Sequence, residues 1–316
     1  MASSRHVSGG DAAITGWGTA LPEHVVTNAD FAARLDTTDE WIRERSGIRE
    51  RRMGGTTGTL SIEAGRAAMK DAGVDPSTVD LLVLATSTPD QQMPATASFV
   101  HDALGLSGGA FDLNAACSGF VYALVTGYGM AALGAERILV IGADVMSRIT
   151  DQEDRGTAVL FGDGAGAVVL ERVEDGGQLL GWDLGSDGSA GHILYADIGG
   201  HTKMDGKEVF RRAVRVMVSS SERALAAAGV TAADVTLLVP HQANVRIIDA
   251  ACSRLGIPSE RAALVLERTG NTSAASIPLA LADAADAGRL ADGDIVLVVG
   301  FGAGMSWASA VLRWSA

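Results

Sequence analysis

The second half of this chain repeats the pattern of its first, and that repeat limits the folds open to it more than any other feature. Ala72-Gly73-Val74 followed by Asp80-Leu81-Leu82-Val83 returns as Ala228-Gly229-Val230 followed by Thr236-Leu237-Leu238-Val239, 156 residues later at each of these positions. Ile138-Leu139-Val140-Ile141-Gly142 returns as Val296-Leu297-Val298-Val299-Gly300, at an offset of 158. Two motifs recurring in the same order half a chain apart predict two similar halves. Residues 79–84, 137–141, 235–239 and 294–299 are near-continuous apolar runs, the pattern of strands buried on both faces. Ala-rich helical stretches, 61–72 and 219–228, lie between them. The alternation predicts α/β layering. The polar, turn-prone Glu174-Asp175-Gly176-Gly177 marks the junction, giving halves 1–175 and 176–316.

Composition excludes several classes. A formal net charge of −13 argues against a nucleic-acid binder, which needs basic surface to neutralise phosphates. Two cysteines, Cys117 and Cys252, make a disulfide framework improbable. No apolar run reaches the roughly 18–20 residues of a membrane helix. Residues 1–11 are polar and Gly/Ser-rich and lack a signal peptide's apolar core. We read them as a frayed terminus and expect a cytoplasmic protein.

Cys117 stands where chemistry is expected. Residues 111–113 read as a short strand, 114–119 as a turn and 120–132 as a helix with Phe120, Leu124 and Tyr128 on one face. The unpaired N–H groups and dipole at a helix N-terminus favour a thiolate, lowering a free-cysteine pKa of about 8.5 by roughly one to several units. Small neighbours predict an accessible sulfur. By itself, the turn leaves open a buried structural thiol, the reading adopted for Cys252 in its apolar helical context. His241 follows the 235–239 run and Pro240, facing the carboxyl end of a strand where α/β active groups gather. Alone it reads more readily as a structural or surface histidine. Asn271 occupies nearly the same place in the second half as Cys117 in the first; alone it reads as a helix cap. Facing halves would bring all three to one cleft. The other histidines show no metal-ligand spacing, and two cysteines cannot complete a closed zinc site, so no metal is expected. The Gly300–302–304 loop can bring backbone N–H groups to a ligand. It is no phosphate loop, because no Gly-Lys-Ser/Thr follows.

Longer strings carry a resemblance. They are Asp36-Thr37-Thr38-Asp39-Glu40-Trp41-Ile42, Ser46-Gly47-Ile48-Arg49-Glu50-Arg51, Ala116-Cys117-Ser118-Gly119-Phe120, Asp154-Arg155-Gly156-Thr157 running into Phe161-Gly162-Asp163-Gly164-Ala165-Gly166-Ala167, His241-Gln242-Ala243-Asn244-Val245-Arg246-Ile247 and Gly270-Asn271-Thr272-Ser273-Ala274-Ala275-Ser276, closing with Gly302 to Trp307. In this order, over nearly the whole chain, they resemble the β-ketoacyl-acyl-carrier-protein synthase III family of the thiolase-fold superfamily. The resemblance implies a thiolase-like fold in layered αβαβα arrangement. It implies an acyl-Cys117 intermediate formed from acyl-CoA, with the N–H groups of Cys117 and Gly304 as the oxyanion hole. His241 and Asn271 would stabilise the enolate left when malonyl-ACP loses CO₂. Thr37, Trp41, Arg45 and Arg155 would contact CoA, and Asn244 the pantetheine tunnel. Met93 would enter a neighbouring subunit's acyl pocket, which implies a homodimer. Coenzyme A thioester is then substrate, and no cofactor is needed.

Two departures leave the primer open among acetyl, branched and longer acyl groups. Residues 192–203 form a shorter loop than is usual in the family, and Met93 is too flexible to define a pocket length. Acyl carrier protein is acidic, like this chain, so docking requires local basic surface. Arg211, Arg212, Arg215 and Arg246 offer it, unless they are simply solvated helix charges. The leading reading is the initiating condensation of fatty-acid synthesis. The alternatives are a starter-unit enzyme of polyketide or other specialised metabolism, a non-decarboxylating acyltransferase, a cysteine hydrolase, and an inactive carrier-protein-binding module.

Overall fold

Each apolar run of the repeat becomes a buried strand, and the strands assemble into two sheets. The computed structural model describes residues 12–174 and 177–315. The expected frayed terminus and part of the expected junction, Asp175 and Gly176, lie outside the described residues. In the first sheet the order is Ala12–Ala20, Asp163–Arg172, Arg137–Val145, Leu81–Ala85, Gly109–Leu113. The last three strands run parallel and the first two are antiparallel additions. The second sheet has the order Leu179–Ser186, Ser306–Arg313, Ile295–Gly302, Val235–Pro240. Its Val235–Pro240 and Ile295–Gly302 pair is again parallel, and the remaining pairs antiparallel. The repeat thus describes matching positions in two sheets: Leu81–Ala85 answers to Val235–Pro240, and Arg137–Val145 to Ile295–Gly302.

Strand alternation then builds five layers. Val83 and Val140 of the first sheet and Leu237 and Val298 of the second point toward each other. Between them lie the helices Gly119–Ala132 and Ser276–Asp286, which contribute Phe120, Leu124, Ile277 and Leu281 to one core. Leu82, Leu84 and Leu139 face the other way, onto Leu60, Ala64 and Ala68 of helix Thr57–Ala72. Leu238, Leu297 and Val299 meet Val209, Ala213 and Met217 of helix Gly206–Ala228, and Ile248 and Cys252 of Val245–Leu255. Cys252 is fully buried in that layer, as expected of a structural thiol. The order is helix, sheet, paired helices, sheet, helix: the αβαβα fold.

The glycines that close the repeated strands have a shared reason. A Cβ on Gly142 would lie 2.4 Å from the Ala274 carbonyl oxygen, and one on Gly300 would lie 3.1 Å from Ser118 Cα. Each half therefore uses a glycine to admit the turn that opens the other half's inner helix.

Candidate active site

Those two turns are copies of one device. Asn114 to Gly119 and Asn271 to Ser276 align at an offset of 157 residues. Asn114 Oδ1 accepts the Ala116 N–H at 3.0 Å, and Asn271 Oδ1 accepts the Ser273 N–H at 2.9 Å. Ala116 and Ser273 are the described non-glycine residues with positive φ, 49° and 51°. A single 3₁₀ turn follows, Ala116–Ser118 or Ser273–Ala275, and then the inner helix. By this register Ala274 is the positional mate of Cys117, and Asn271 is the mate of Asn114. Because Oδ1 of Asn271 is occupied by a backbone donor, its amide NH₂ is left to donate.

Cys117 sits at the strand-to-helix turn as expected and lines the cavity, but it is largely buried and not poised as a thiolate. The residue is 8% exposed. Burial pushes its thiol up to about 12; the Ser273 hydroxyl, 3.3 Å from Sγ, opposes this and the Asp144 charge adds to it. The local turn was legible, whereas the low-dielectric surroundings that dominate come from the opposite half.

His241 follows directly on strand Val235–Pro240, and its N–H donates to Val299 O at 2.8 Å. The ring is 1% exposed and packs edge-on against Phe301, with centroids 5.4 Å apart. Burial holds its pKa down at about 3, so the imidazole is neutral throughout the physiological range. Nδ1 lies 2.7 Å from Ser276 Oγ, which also accepts the Gln242 N–H at 3.3 Å. The Ser276 O–H has no other acceptor among the described residues and so donates to Nδ1, which places the ring proton on Nε2. Gln242 ties the loop down: its amide donates to Pro240 O and Ala263 O and accepts from the N–H groups of Val265 and Leu266.

Cys117, His241 and Asn271 line one cavity of about 300 Å³, together with Phe301, Gly302 and Asn244. Gly302 and Ala303, rather than Gly304, form the adjoining wall; Gly304 follows them at φ 130°. The hairpin of Leu194–Tyr195 with Lys203–Met204 closes another side, which gives the short 192–203 stretch a structural role at the entrance. Met93 is 83% exposed and does not line this chain's own cavity.

Four of the five expected CoA contacts converge. The Arg45 and Arg155 guanidinium carbons lie 5.6 and 5.0 Å from the Trp41 ring centroid. Asn244 Nδ2 donates to Arg45 O at 2.7 Å, and Arg155 donates to Asp36 O at 2.7 Å. The neighbouring Thr37 hydroxyl is buried with no hydrogen-bond partner among the described residues. Base stacking on an aromatic ring is worth about 1–3 kcal/mol. Trp41→Ala is therefore expected to raise the KM for acyl-CoA about tenfold and to leave that for acyl-pantetheine nearly unchanged. Equal effects on both substrates would remove adenine stacking from Trp41.

The basic patch is smaller than the sequence suggests. Arg211 and Arg212 both bond Glu208, at 2.7 and 2.6 Å, and hold its carboxyl down at about 2. Arg215 and Arg246 are exposed, without an ion pair among the described residues. Arg246 lies over the Phe210 ring at 5.7 Å. No group of three or more His, Cys, Asp or Glu among the described residues is arranged to hold a metal ion.

Comparison with known proteins decides the family. Residues 111–188 match the family 3-Oxoacyl-[acyl-carrier-protein (ACP)] synthase III, and residues 225–314 match 3-Oxoacyl-[acyl-carrier-protein (ACP)] synthase III C terminal. The Beta-ketoacyl-[acyl-carrier-protein] synthase III of Roseiflexus castenholzii is 48% identical over 96% of this chain and 98% of its own. The chain belongs to the β-ketoacyl-ACP synthase III family. It is a condensing acyltransferase with the family's thiolase-like fold. The crystal structure of 3-oxoacyl-[acyl-carrier-protein] synthase III from Aquifex aeolicus superposes with a TM-score of 0.94 at 43% identity, covering 96% of this chain and all of that one. A priming β-ketosynthase from the R1128 polyketide biosynthetic pathway superposes at 0.90 with 37% identity, covering 96% of each chain.

Sequence reasoning missed Ser276, Ser273, Asp144 and Phe301. Phe301 had a local signal, as a large residue between Gly300 and Gly302 beside an expected site. Ser273 and Asp144 act across the two halves, and Ser276 reaches His241 from 35 residues away within the second; none of the three leaves a local pattern.

Proposed function

We propose that this enzyme makes the first carbon–carbon bond of fatty-acid synthesis, joining a short acyl-CoA to malonyl-ACP through an acyl-Cys117 intermediate. The observation that carries the reading is one cavity lined by the buried thiol, a neutral imidazole and an amide whose NH₂ is free to donate. Cys117 sulfur attacks the thioester carbonyl and CoA thiol leaves, with the developing oxyanion held by the N–H of Cys117 and a backbone N–H of the Gly302-Ala303-Gly304 loop, of which Gly302 and Ala303 wall the cavity. Malonyl-ACP then enters, and its C–CO₂ bond breaks. The electron pair becomes an enolate whose oxygen accepts from His241 Nε2–H and Asn271 NH₂. Donors aimed at charge that appears only during reaction are worth about 3–4 kcal/mol each. The enolate carbon attacks acyl-Cys117, the S–C bond breaks, and 3-ketoacyl-ACP leaves. No metal or cofactor is required by this chemistry.

CoA would lie against Trp41, Arg45, Arg155 and Thr37, its pantetheine passing Asn244. Acyl carrier protein would dock at Arg215 and Arg246, with Arg211 and Arg212 partly neutralised by Glu208. The exposed Met93, with Phe99 at 49% and Phe111 at 37%, supports a homodimer in which Met93 reaches the partner's acyl pocket. A nucleophile that must remain a free thiol suits the reducing cytoplasm. The likeness to a priming β-ketosynthase supports a second reading, starter-unit synthesis for a polyketide, which uses the same residues.

Product analysis with a panel of acyl-CoAs and malonyl-ACP tests the reaction. It should yield 3-ketoacyl-ACP; free acid alone would make the protein a hydrolase. Because His241 is already neutral, the condensation step should show no fall between pH 8 and 5 attributable to imidazole protonation. A downturn near pH 6.5 that disappears in His241→Gln would contradict that environment.

A further inference from the structure

The two turns repeat in backbone but differ in side chain. At the offset of 157 residues, Ser273 takes the place of Ala116. Both hold positive φ, 51° and 49°, a conformation that disfavours any residue with a Cβ. Ala116 shows that the turn forms without a hydroxyl. Ser273 nevertheless carries one, and it donates to Cys117 Sγ at 3.3 Å, across 156 residues of chain. The hydroxyl is surplus to its own turn and aimed at the sulfur of the opposite half.

We propose that Ser273 is a further catalytic residue, whose hydroxyl stabilises the anionic sulfur of Cys117 as it attacks and as it departs. This rests on the reading of Cys117 as the nucleophile. The donor is fixed through its backbone. The Ser273 N–H is bonded to Asn271 Oδ1 at 2.9 Å, and the next N–H, that of Ala274, to Asp144 Oδ2 at 3.0 Å. Ser273 is 1% exposed, so water does not compete for the bond, and a donor to a charged acceptor is stronger in such surroundings. The other influences oppose the anion. Burial raises the thiol and the Asp144 charge raises it further, while the Ser273 hydroxyl is the side chain that lowers it. No lysine or arginine lines the cavity among the described residues. His241 and Tyr195 share it, and the imidazole is neutral. On the elements packed against the Cys117 turn, Tyr122 and Tyr128 donate to Gly185 O and Gln178 Oε1, and Arg313 is exposed at the far end of its strand. Ser273 is therefore the side-chain donor on which the thiolate depends.

The steps balance. The Cys117 S–H bond breaks and its proton passes to solvent. The sulfur's electron pair forms the bond to the thioester carbon, the C–S bond to CoA breaks, and the departing sulfur takes a proton from solvent. In condensation the enolate carbon bonds the acyl carbon, the bond to Cys117 breaks, and its electron pair returns to the sulfur under the same hydroxyl. Ser273 keeps its own proton throughout, and nothing is oxidised or reduced.

Alkylation of Cys117 by iodoacetamide over a pH series, mapped by mass spectrometry, tests the donor in Ser273→Ala and Ser273→Gly. A hydrogen bond to a charged group can move a titration by about one to two pH units. Its removal raises the thiol, so less thiolate is present at a given pH. Both variants should alkylate at least about tenfold more slowly than wild type below the titration, and single-turnover acylation by acyl-CoA should slow with them. Release of CO₂ from malonyl-ACP on variants already acylated generates no Cys117 anion and should keep the wild-type rate, whereas a distorted turn carrying Asn271 would slow it. Alkylation of both variants at the wild-type rate at every pH overturns the proposal, as does a loss of CO₂ release equal to the loss of acylation. Should Ser273→Ala fail to fold, Ser273→Gly, whose glycine adopts positive φ freely, decides alone. A wild type that is alkylated at Cys117 yet takes no acyl group would instead overturn the nucleophile assignment, and the proposal with it.

Discussion

Asn271→Asp should still form its acyl-enzyme at pH 8 yet condense at least about 10²–10³-fold more slowly. The substitution is nearly isosteric. One carboxylate oxygen can accept the Ser273 N–H as Asn271 Oδ1 does at 2.9 Å, so the turn that faces Cys117 survives. That bond also favours the ionised carboxyl. What changes is the other arm, where a donor becomes a negative oxygen aimed at the position of the enolate. Losing one donor to a developing oxyanion costs about 10²–10³ in rate, and like-charge repulsion adds to it. Acylation forms no enolate and should be far less affected. Separate single-turnover measurements of the two half-reactions check this; equal losses in both would mean that Asn271 acts on the turn and not on the enolate.

Gly302→Ala should act on the opposite half-reaction. A Cβ there would lie 2.6 Å from Cys117 N and 2.8 Å from Ala116 Cβ. Both atoms belong to a turn whose conformation is already constrained, with Ala116 at φ 49°, so neither yields as the end of a flexible side chain would. The elbow must shift, and with it the sulfur and the Cys117 N–H expected in the oxyanion hole. A displacement of about 1 Å in a reacting group costs on the order of 100-fold, and overpacking costs about 1–3 kcal/mol of stability. Loss of acylation together with a lower Tm is the expected result. Wild-type acylation in Gly302→Ala would show that this loop does not set the position of the nucleophile.

The half-chain repeat was a reliable guide because a buried strand writes a continuous apolar run into the sequence, and paired runs reveal paired sheets. Gly142 and Gly300 were visible as the ends of those runs, but their purpose was not: each makes room for the other half's turn. Cys117, His241 and Asn271 were legible as local features, a turn before a helix, a residue beyond a strand, a polar turn. The state of the sulfur was not, since burial by the opposing half outweighs the helix terminus. Ser276 beside His241, and Ser273 and Asp144 behind Cys117, are juxtapositions across 35 to 156 residues, which no local pattern records. The weakened basic patch was legible: Glu208 stands three and four residues before Arg211 and Arg212, the spacing at which helical ion pairs form.

The proposed reaction makes Cys117 the carrier of the acyl group to a decarboxylated malonyl unit. Its most direct test is intact-protein mass spectrometry of the wild type and Cys117→Ala, first with acyl-CoA and then with malonyl-ACP. The wild type should take one acyl addition that maps to Cys117 and lose it on adding malonyl-ACP, with matching appearance of 3-ketoacyl-ACP, and Cys117→Ala should take none. Acylation of Cys117→Ala, or discharge of the wild-type adduct as free acid, would contradict it.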